Sequence, residues 1–434
     1  MASAPDPGAE PAPGSELLRF AAVGSVDDGK STLIGRLLHD TKQLFEDQIE
    51  AISTASRRRG VEGVDLSFVT DGLRAEREQG ITIDVAYRYA ATPNRKFIIA
   101  DCPGHVQYTR NMATGASTAD LVVVVVDATT GLREQTRRHC CIAALLGVRH
   151  MVVAANKMDL VDWSPDAYHA IAAEADRLAA RFGMQCLVVP VSALHGDNVA
   201  DRSSRSPWYA GPTVLQALED APAGAWAHEG GGGARLPVQW VIRHPNAGRS
   251  YAGMVSGGTL FVGEEVVVLP SGAKSTVTAI STFDGPLAAA PPSMSVTVAL
   301  DDDLDVSRGD VIAPAADAPE ATGQFTATVC WFAERPIEAG QRFTVKHTTR
   351  TTAARVLSVD ARLDVGTLTL ADADALADNE IGVVQLATAT PLALDPYHRN
   401  RVTGSFVVVD PTTNATLAAG MVGPPVLAAS PAPA

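Results

Sequence analysis

From Leu17 to about Pro222, short apolar runs alternate with longer stretches in which apolar residues recur at helical spacing. Phe20–Val23, Ile81–Tyr87, Lys96–Ala100, Leu121–Val126, Met151–Ala155 and Cys186–Val189 read as strands. Thr32–Leu38, Gln135–Leu146 and Pro165–Phe182 read as helices. Strand followed by helix, repeated, predicts an α/β domain over 17–222: a mostly parallel sheet with helices on both faces. The pattern breaks in a linker, 223–234, whose run Gly230-Gly231-Gly232-Gly233 resists regular structure.

Beyond the linker the period shortens. Val238–Arg243, Tyr251–Leu260, Glu265–Leu269, Thr276–Ile280 and Ser295–Leu300 are β-like runs divided by Gly, Pro and Ser. After a Pro- and Ala-rich passage, Gln324–Trp331, Gln341–His347, Thr351–Val359, Val365–Leu370, Gly382–Leu386 and Gly404–Val409 form a second set. This spacing predicts two small β-barrels, over 235–316 and 320–423, with a flexible tail at 424–434. Residues 1–16, rich in Pro, Ala and Gly, lack the basic start and apolar core of an export signal and read as a disordered lead-in.

Composition narrows the classes. The 434 residues suggest about three domains, and 46% apolar residues suffice for ordinary cores. A net charge of −14 disfavours a sequence-independent grip on nucleic acid or an anionic membrane, so neither is expected as a partner. The longest strongly apolar run, Leu121 to Val126, is too short to span a bilayer. The five cysteines show no CxxC pair and read as reduced thiols of a cytoplasmic protein.

Gly24-Ser25-Val26-Asp27-Asp28-Gly29-Lys30-Ser31 sits between the first strand and first helix, the context a phosphate-binding loop needs. Its glycines let backbone N–H groups wrap phosphates; Lys30 would reach the β- and γ-phosphates and Ser31 would ligate Mg²⁺, with Thr32 opening the helix. Asp101-Cys102-Pro103-Gly104-His105 follows the third strand. There a carboxylate approaches Mg²⁺ through water and the Gly104 N–H senses the γ-phosphate. Between them, Thr82 in Glu78-Gln79-Gly80-Ile81-Thr82-Ile83-Asp84 is placed to close over Mg²⁺.

Asn156-Lys157-Met158-Asp159 ends the fifth strand. Asp159 would accept from guanine N1–H and the exocyclic amine, a pair adenine cannot offer, which can discriminate by about 10⁴-fold. Asn156 would tie the loops together, the Lys157 stem would cover a face of the base, and Ser192-Ala193-Leu194 would give a backbone N–H to guanine O6. GTP/GDP with Mg²⁺ is thus the expected cofactor set. His105 is the candidate for orienting the attacking water. His139-Cys140-Cys141 is better read as packing than as a metal site, because adjacent helical residues diverge. Arg57-Arg58-Arg59 reads as a solvated charge run.

The motif order, followed by two β modules, resembles the translation-factor superfamily of GTPases. Within it the chain is similar to the large GTP-binding subunits of bacterial heterodimeric sulfate adenylyltransferase. The similar stretches are Gly24 to Leu38, Tyr108 to Ser117, Trp208-Tyr209-Ala210-Gly211-Pro212-Thr213, Asn414-Ala415-Thr416 and Gly420-Met421. Ser25 and Asp28 stand where elongation factors typically carry histidine, Cys102 stands where this family often has Thr, and Gly230–Gly233 looks inserted. The resemblance implies GTP hydrolysis coupled to formation of adenosine 5′-phosphosulfate and pyrophosphate. The ATP and sulfate would be bound mainly by a smaller catalytic partner subunit. It also implies an apolar gate of Val26 and Ile81 in front of His105. Some relatives carry a fused adenylyl-sulfate kinase; no second phosphate loop precedes Ala434, so that activity is not expected. A translation factor that binds aminoacyl-tRNA would share every nucleotide residue named above.

Overall fold

The computed structural model describes residues 17–43, 66, 84–222, 232–244 and 248–426. The chain divides into two compact units, the first carrying one six-stranded sheet and the second both barrels.

In the first unit, β1 (Leu17–Gly24), β2 (Ala86–Ala91), β3 (Lys96–Asp101), β4 (Leu121–Asp127), β5 (His150–Asn156) and β6 (Gln185–Pro190) lie in the order β2-β3-β1-β4-β5-β6. All pairings are parallel except β2 with β3. The expected strand at Ile81–Tyr87 is corrected: β2 begins at Ala86 and continues to Ala91, while 81–83 lie outside the described residues. Thr92 N–H donates to the Arg95 carbonyl at 2.8 Å, closing a tight turn that forces an antiparallel hairpin. Its alternating burial, with Tyr89 71% exposed, is that of a sheet edge. By contrast β4 is buried at every position, which is why its sequence is continuously apolar.

Helices α1 (Lys30–Asp40), α2 (Thr109–Ala116), α3 (Glu134–Leu145), α4 (Pro165–Phe182) and α5 (Val214–Asp220) cover the sheet. Leu33, Ile34, Leu37 and Leu38 of α1 and Val214 and Leu218 of α5 share a core with Leu18, Phe20, Ile99, Val123 and Val152. Helix α4 shows why its bounds are legible. Ser164 caps its start by accepting from Ala167 N–H, Pro165 occupies the first turn, and Gly183 ends it with φ 63°. Alternate residues of the central strands face α2, α3 and α4 on the other side.

The second unit begins with β7 (Ala234–His244), β8 (Gly248–Met254), β9 (Glu265–Leu269), β10 (Ala273–Thr282), β11 (Ser295–Leu300) and β12 (Val311–Pro314). These pair in the cycle β9-β12-β7-β8-β11-β10-β9, a closed antiparallel barrel. The next barrel uses β13 (Glu320–Trp331), β14 (Arg342–His347), β15 (Arg350–Asp364), β16 (Ile381–Leu394), β17 (Ser405–Val409) and β18 (Thr416–Val422). It closes as β14-β17-β18-β13-β16-β15-β14. The fold class is therefore the one expected. Two closing strands, β12 and β18, are absent from the expected set: one has four residues and ends in proline, the other is rich in Ala and Gly. The run read as one strand at 251–260 breaks after Met254, and 365–368 is a turn rather than strand.

None of the five cysteines forms a disulfide, and Cys102, Cys140, Cys141 and Cys330 are buried. Burial pushes the Cys330 thiol up to about 12, so it stays protonated and inert. No helix among the described residues is long and apolar enough to cross a membrane.

Candidate functional site

Every parallel strand delivers one site segment at its carboxyl end, the edge where ligands bind in open α/β sheets. β1 runs into the phosphate loop, β3 ends at Asp101, β4 at Asp127, β5 at Asn156, and Ser192 follows β6. Parallel register aligns these ends; Asp127 lies opposite Asn156.

Close packing in and around the loop demands glycine. Gly29 adopts φ 94°, and a Cβ there would come 2.3 Å from Asn156 Nδ2. A Cβ on Gly104 would lie 2.4 Å from Lys30 Nζ and 2.8 Å from the Gly24 carbonyl, so only glycine lets this segment approach the loop. Asp28 is 1% exposed; its Oδ2 accepts from Ser25 N–H at 2.8 Å, which locks the turn. Burial pushes the Asp28 carboxyl up, against the opposing pull of that bond and of Lys30 and Arg133.

Lys30 is buried, and its ammonium donates to the Gly24 carbonyl at 3.1 Å and the Ser25 carbonyl at 2.7 Å. Burial pushes its pKa down, while the carboxylates of Asp101 and Asp28 pull it up. Three donors on this ammonium leave one for a phosphate oxygen after both carbonyls are served. Ser31 and Thr32 open α1 with their side chains partly exposed. A hydroxyl at Ser31 and the buried Asp101 carboxylate would, with phosphate oxygens, make an all-oxygen set that suits Mg²⁺. Among the described residues no three His, Cys, Asp or Glu side chains converge, so such an ion would take its other ligands from nucleotide and water. Thr82, the third expected metal contact, and Ile81 lie outside the described residues, as do Arg57-Arg58-Arg59.

His105 is partly exposed, with Nδ1 accepting from Gln107 N–H at 3.4 Å. It lines a cleft of about 370 Å³ together with Ser25, Val26, Gly104 and, from α3, Gln135 and Arg138. Val26 thus shares a wall with His105. The loop is also fastened to α3: Ser25 Oγ and Thr136 Oγ1 are 2.9 Å apart and both buried. His139 on α3 is buried, its Nε2 accepting from Gln135 Nε2 at 2.8 Å, and burial holds it down at about 3. It is a neutral core residue.

At the base end, Asn156 bridges two loops. Its Nδ2 donates to the Asp28 carbonyl at 2.8 Å and its Oδ1 accepts from Ala193 N–H at 2.9 Å. The Ser192 N–H is used by the Asp197 carbonyl at 3.2 Å, which leaves Leu194 as the triad's free backbone donor among the described residues. Ser192 Oγ is buried without a hydrogen-bond partner among them. Lys157 takes φ 60°, and its Nζ meets Asp127 Oδ2 at 2.7 Å. Burial raises the Asp127 carboxyl, but hydrogen bonds from Lys157 and Thr129 outweigh it and hold the group below its ordinary value. Asp159 is 18% exposed, open to a ligand.

Sequence reasoning missed four supports: Asp127, Thr129, Thr136 and Arg36, whose fork donates to the Ala193 carbonyl at 3.2 Å and the Leu194 carbonyl at 2.6 Å. Asp127 carried a signal, a lone charge closing a continuous apolar run.

The family model for the elongation factor Tu GTP binding domain matches residues 15–223, and that for the GTP-eEF1A C-terminal domain-like family matches 324–423. The chain is 48% identical over 410 residues to a sulfate adenylyltransferase subunit 1 of Yersinia enterocolitica, covering 94% of this chain and 85% of that one. The chain belongs to the sulfate adenylyltransferase subunit 1 family. The family member of Aeromonas hydrophila is likewise 48% identical, over 94% of this chain and 86% of its own. A bifunctional enzyme CysN/CysC of Mycobacterium tuberculosis is 55% identical over 96% of this chain and 69% of its own length. The first domain is accordingly a GTP-binding GTPase domain of the translation-factor type, within a family of sulfate assimilation.

Proposed function

We propose that this chain is the GTPase subunit of a cytoplasmic sulfate adenylyltransferase. It would couple GTP hydrolysis to the formation of adenosine 5′-phosphosulfate and pyrophosphate, made from ATP and sulfate by a smaller catalytic partner. The observation that carries this reading is identity of 48–55% to the named relatives over nearly the whole chain, beside a nucleotide site whose loops Asn156 joins. The name "subunit 1" speaks for a partner.

In the mechanism, Gly24 to Thr32 hold the triphosphate, with loop N–H groups and Lys30 facing the charge that spreads over the transferring phosphoryl group. His105 orients the water that attacks the γ-phosphorus as the bond to the β-phosphate oxygen breaks. Ser31, Asp101 and Thr82 would hold Mg²⁺, which neutralises phosphate charge when bound. Asp159 selects guanine, Leu194 N–H is the group best placed for O6, and the Lys157 stem, braced by Asp127, lies along the base.

Coupling requires that the GTP- and GDP-bound shapes have different affinities for the partner's reaction states; equal affinity drives nothing. Moving a two-state balance from 1:99 to 99:1 takes about 5.5 kcal/mol of differential affinity, within reach of nucleoside triphosphate hydrolysis. Reconstitution with the purified partner tests this: ATP and sulfate should yield far more adenosine 5′-phosphosulfate with GTP than with a non-hydrolysable analogue. Equal yields would reject the coupling.

A further inference from the structure

His195 follows the Ser192–Leu194 triad, and its Nε2 lies 4.0 Å from Asp159 Oδ2, with the imidazole 46% exposed. The backbone that carries it is fixed: Arg36 grips the two preceding carbonyls and Gly196 N–H donates to the Ser192 carbonyl at 2.8 Å. The loop therefore places His195 beside the carboxylate. Other charged groups nearby are already engaged. Arg36 from α1 is 3.6 Å from Asp40 as well as on the loop carbonyls. Asp197 accepts from Ser203 Oγ at 2.6 Å and lies 3.4 Å from Arg205. Lys157 is taken by Asp127. Among the described residues His195 is the one cation-forming side chain within ion-pair distance of Asp159.

We propose that His195 is a specificity-determining residue: its protonated ring competes with guanine for Asp159, so guanine-nucleotide binding expels a proton. This rests on the reading of Asp159 as the group that recognises the base. Guanine N1–H and the exocyclic amine require both carboxylate oxygens, and an imidazolium offers Oδ2 an ion-pair alternative. A neutral ring leaves the carboxylate free for the base. A protonated ring holds Oδ2, so affinity falls as pH falls. A half-exposed pair of this kind supports about a 2- to 5-fold change.

The test is calorimetric titration of the full chain with GDP at pH 6.5, in two buffers of different ionisation enthalpy, and again at pH 7.5 and 5.5. The unsubstituted chain should release a fraction of a proton more than His195→Gln, a difference that cancels the titration of the phosphate itself. Its GDP affinity should fall about 2- to 5-fold more than that of His195→Gln between pH 7.5 and 5.5. His195→Arg, permanently charged, should bind GDP about 2- to 5-fold more weakly at pH 7.5. Equal proton counts in the unsubstituted chain and His195→Gln, or undiminished affinity in His195→Arg, would overturn the inference. ADP binding as tightly as GDP would instead overturn the base-reading role of Asp159.

Discussion

At the scale of single residues, the site is built from short contiguous motifs whose chemistry depends on residue type and local spacing. Lys30, Asp101, Asn156 and Asp159 were legible for that reason. Arg36, Asp127 and Thr136 were not, because each acts on a residue far away in sequence that only strand register or helix packing brings near. Asn156 is both kinds, part of a motif and a bridge. Asn156→Ala strands the Asp28 carbonyl and the Ala193 N–H, which should weaken GDP binding roughly 10- to 100-fold, read by displacement of a fluorescent nucleotide. His139 supplies a pH prediction. Its folded value of about 3 lies below the 6.5 of a free imidazole, so the unfolded chain binds the extra proton between them. The stability that His139 contributes is full above pH 6.5 and should fall by about 1.4 kcal/mol per pH unit as acid is added through that window. Denaturant unfolding of His139→Gln, compared with the unsubstituted chain at pH 6.5 and 4.5, should show a shallower decline.

At the scale of elements, periodicity located the strands and helices whose burial is simple. The fully buried β4 and the capped, one-sided α4 are examples. It failed where an element owes its state to neighbours. β2 is antiparallel because of a tight turn, while β12 is too short and β18 too rich in Ala and Gly to stand out before a barrel closes around them. Contacts between elements carry function too. Thr136 joins α3 to the phosphate loop through Ser25. Thr136→Val keeps the shape and leaves the Ser25 hydroxyl buried and unpaired, so GDP should dissociate roughly 10-fold faster. Removing both hydroxyls, in Ser25→Ala with Thr136→Val, should recover much of that loss, since neither partner is then stranded. Stopped-flow release of a fluorescent GDP distinguishes the two cases.

At the scale of the whole molecule, sequence spacing gave the count of β modules but not what joins them. Arg235 on β7 is 1% exposed and forms a bidentate pair with the buried Asp395, at 2.9 and 3.0 Å, which also accepts from Thr403 Oγ1. Thr349 Oγ1 donates to the Val238 carbonyl, and Val267, Leu269, Val311 and Ala393 form a small shared core between the barrels. Arg235→Ala would leave a buried carboxylate unpaired and should lower unfolding stability by about 3–5 kcal/mol. Replacing the pair by Arg235→Met with Asp395→Leu should lower it far less, as calorimetric melting would show.

The proposed guanine-reading site would drive chemistry on another polypeptide. Asp159→Asn should exchange GTP for xanthosine triphosphate, whose extra oxygen accepts where guanine donates. The direct measurement is adenosine 5′-phosphosulfate yield from ATP and sulfate with the purified partner and Asp159→Asn, supplied with each nucleotide in turn. Synthesis that follows xanthosine triphosphate and no longer GTP is the predicted result. Synthesis still driven by GTP, or indifferent to both, would contradict it.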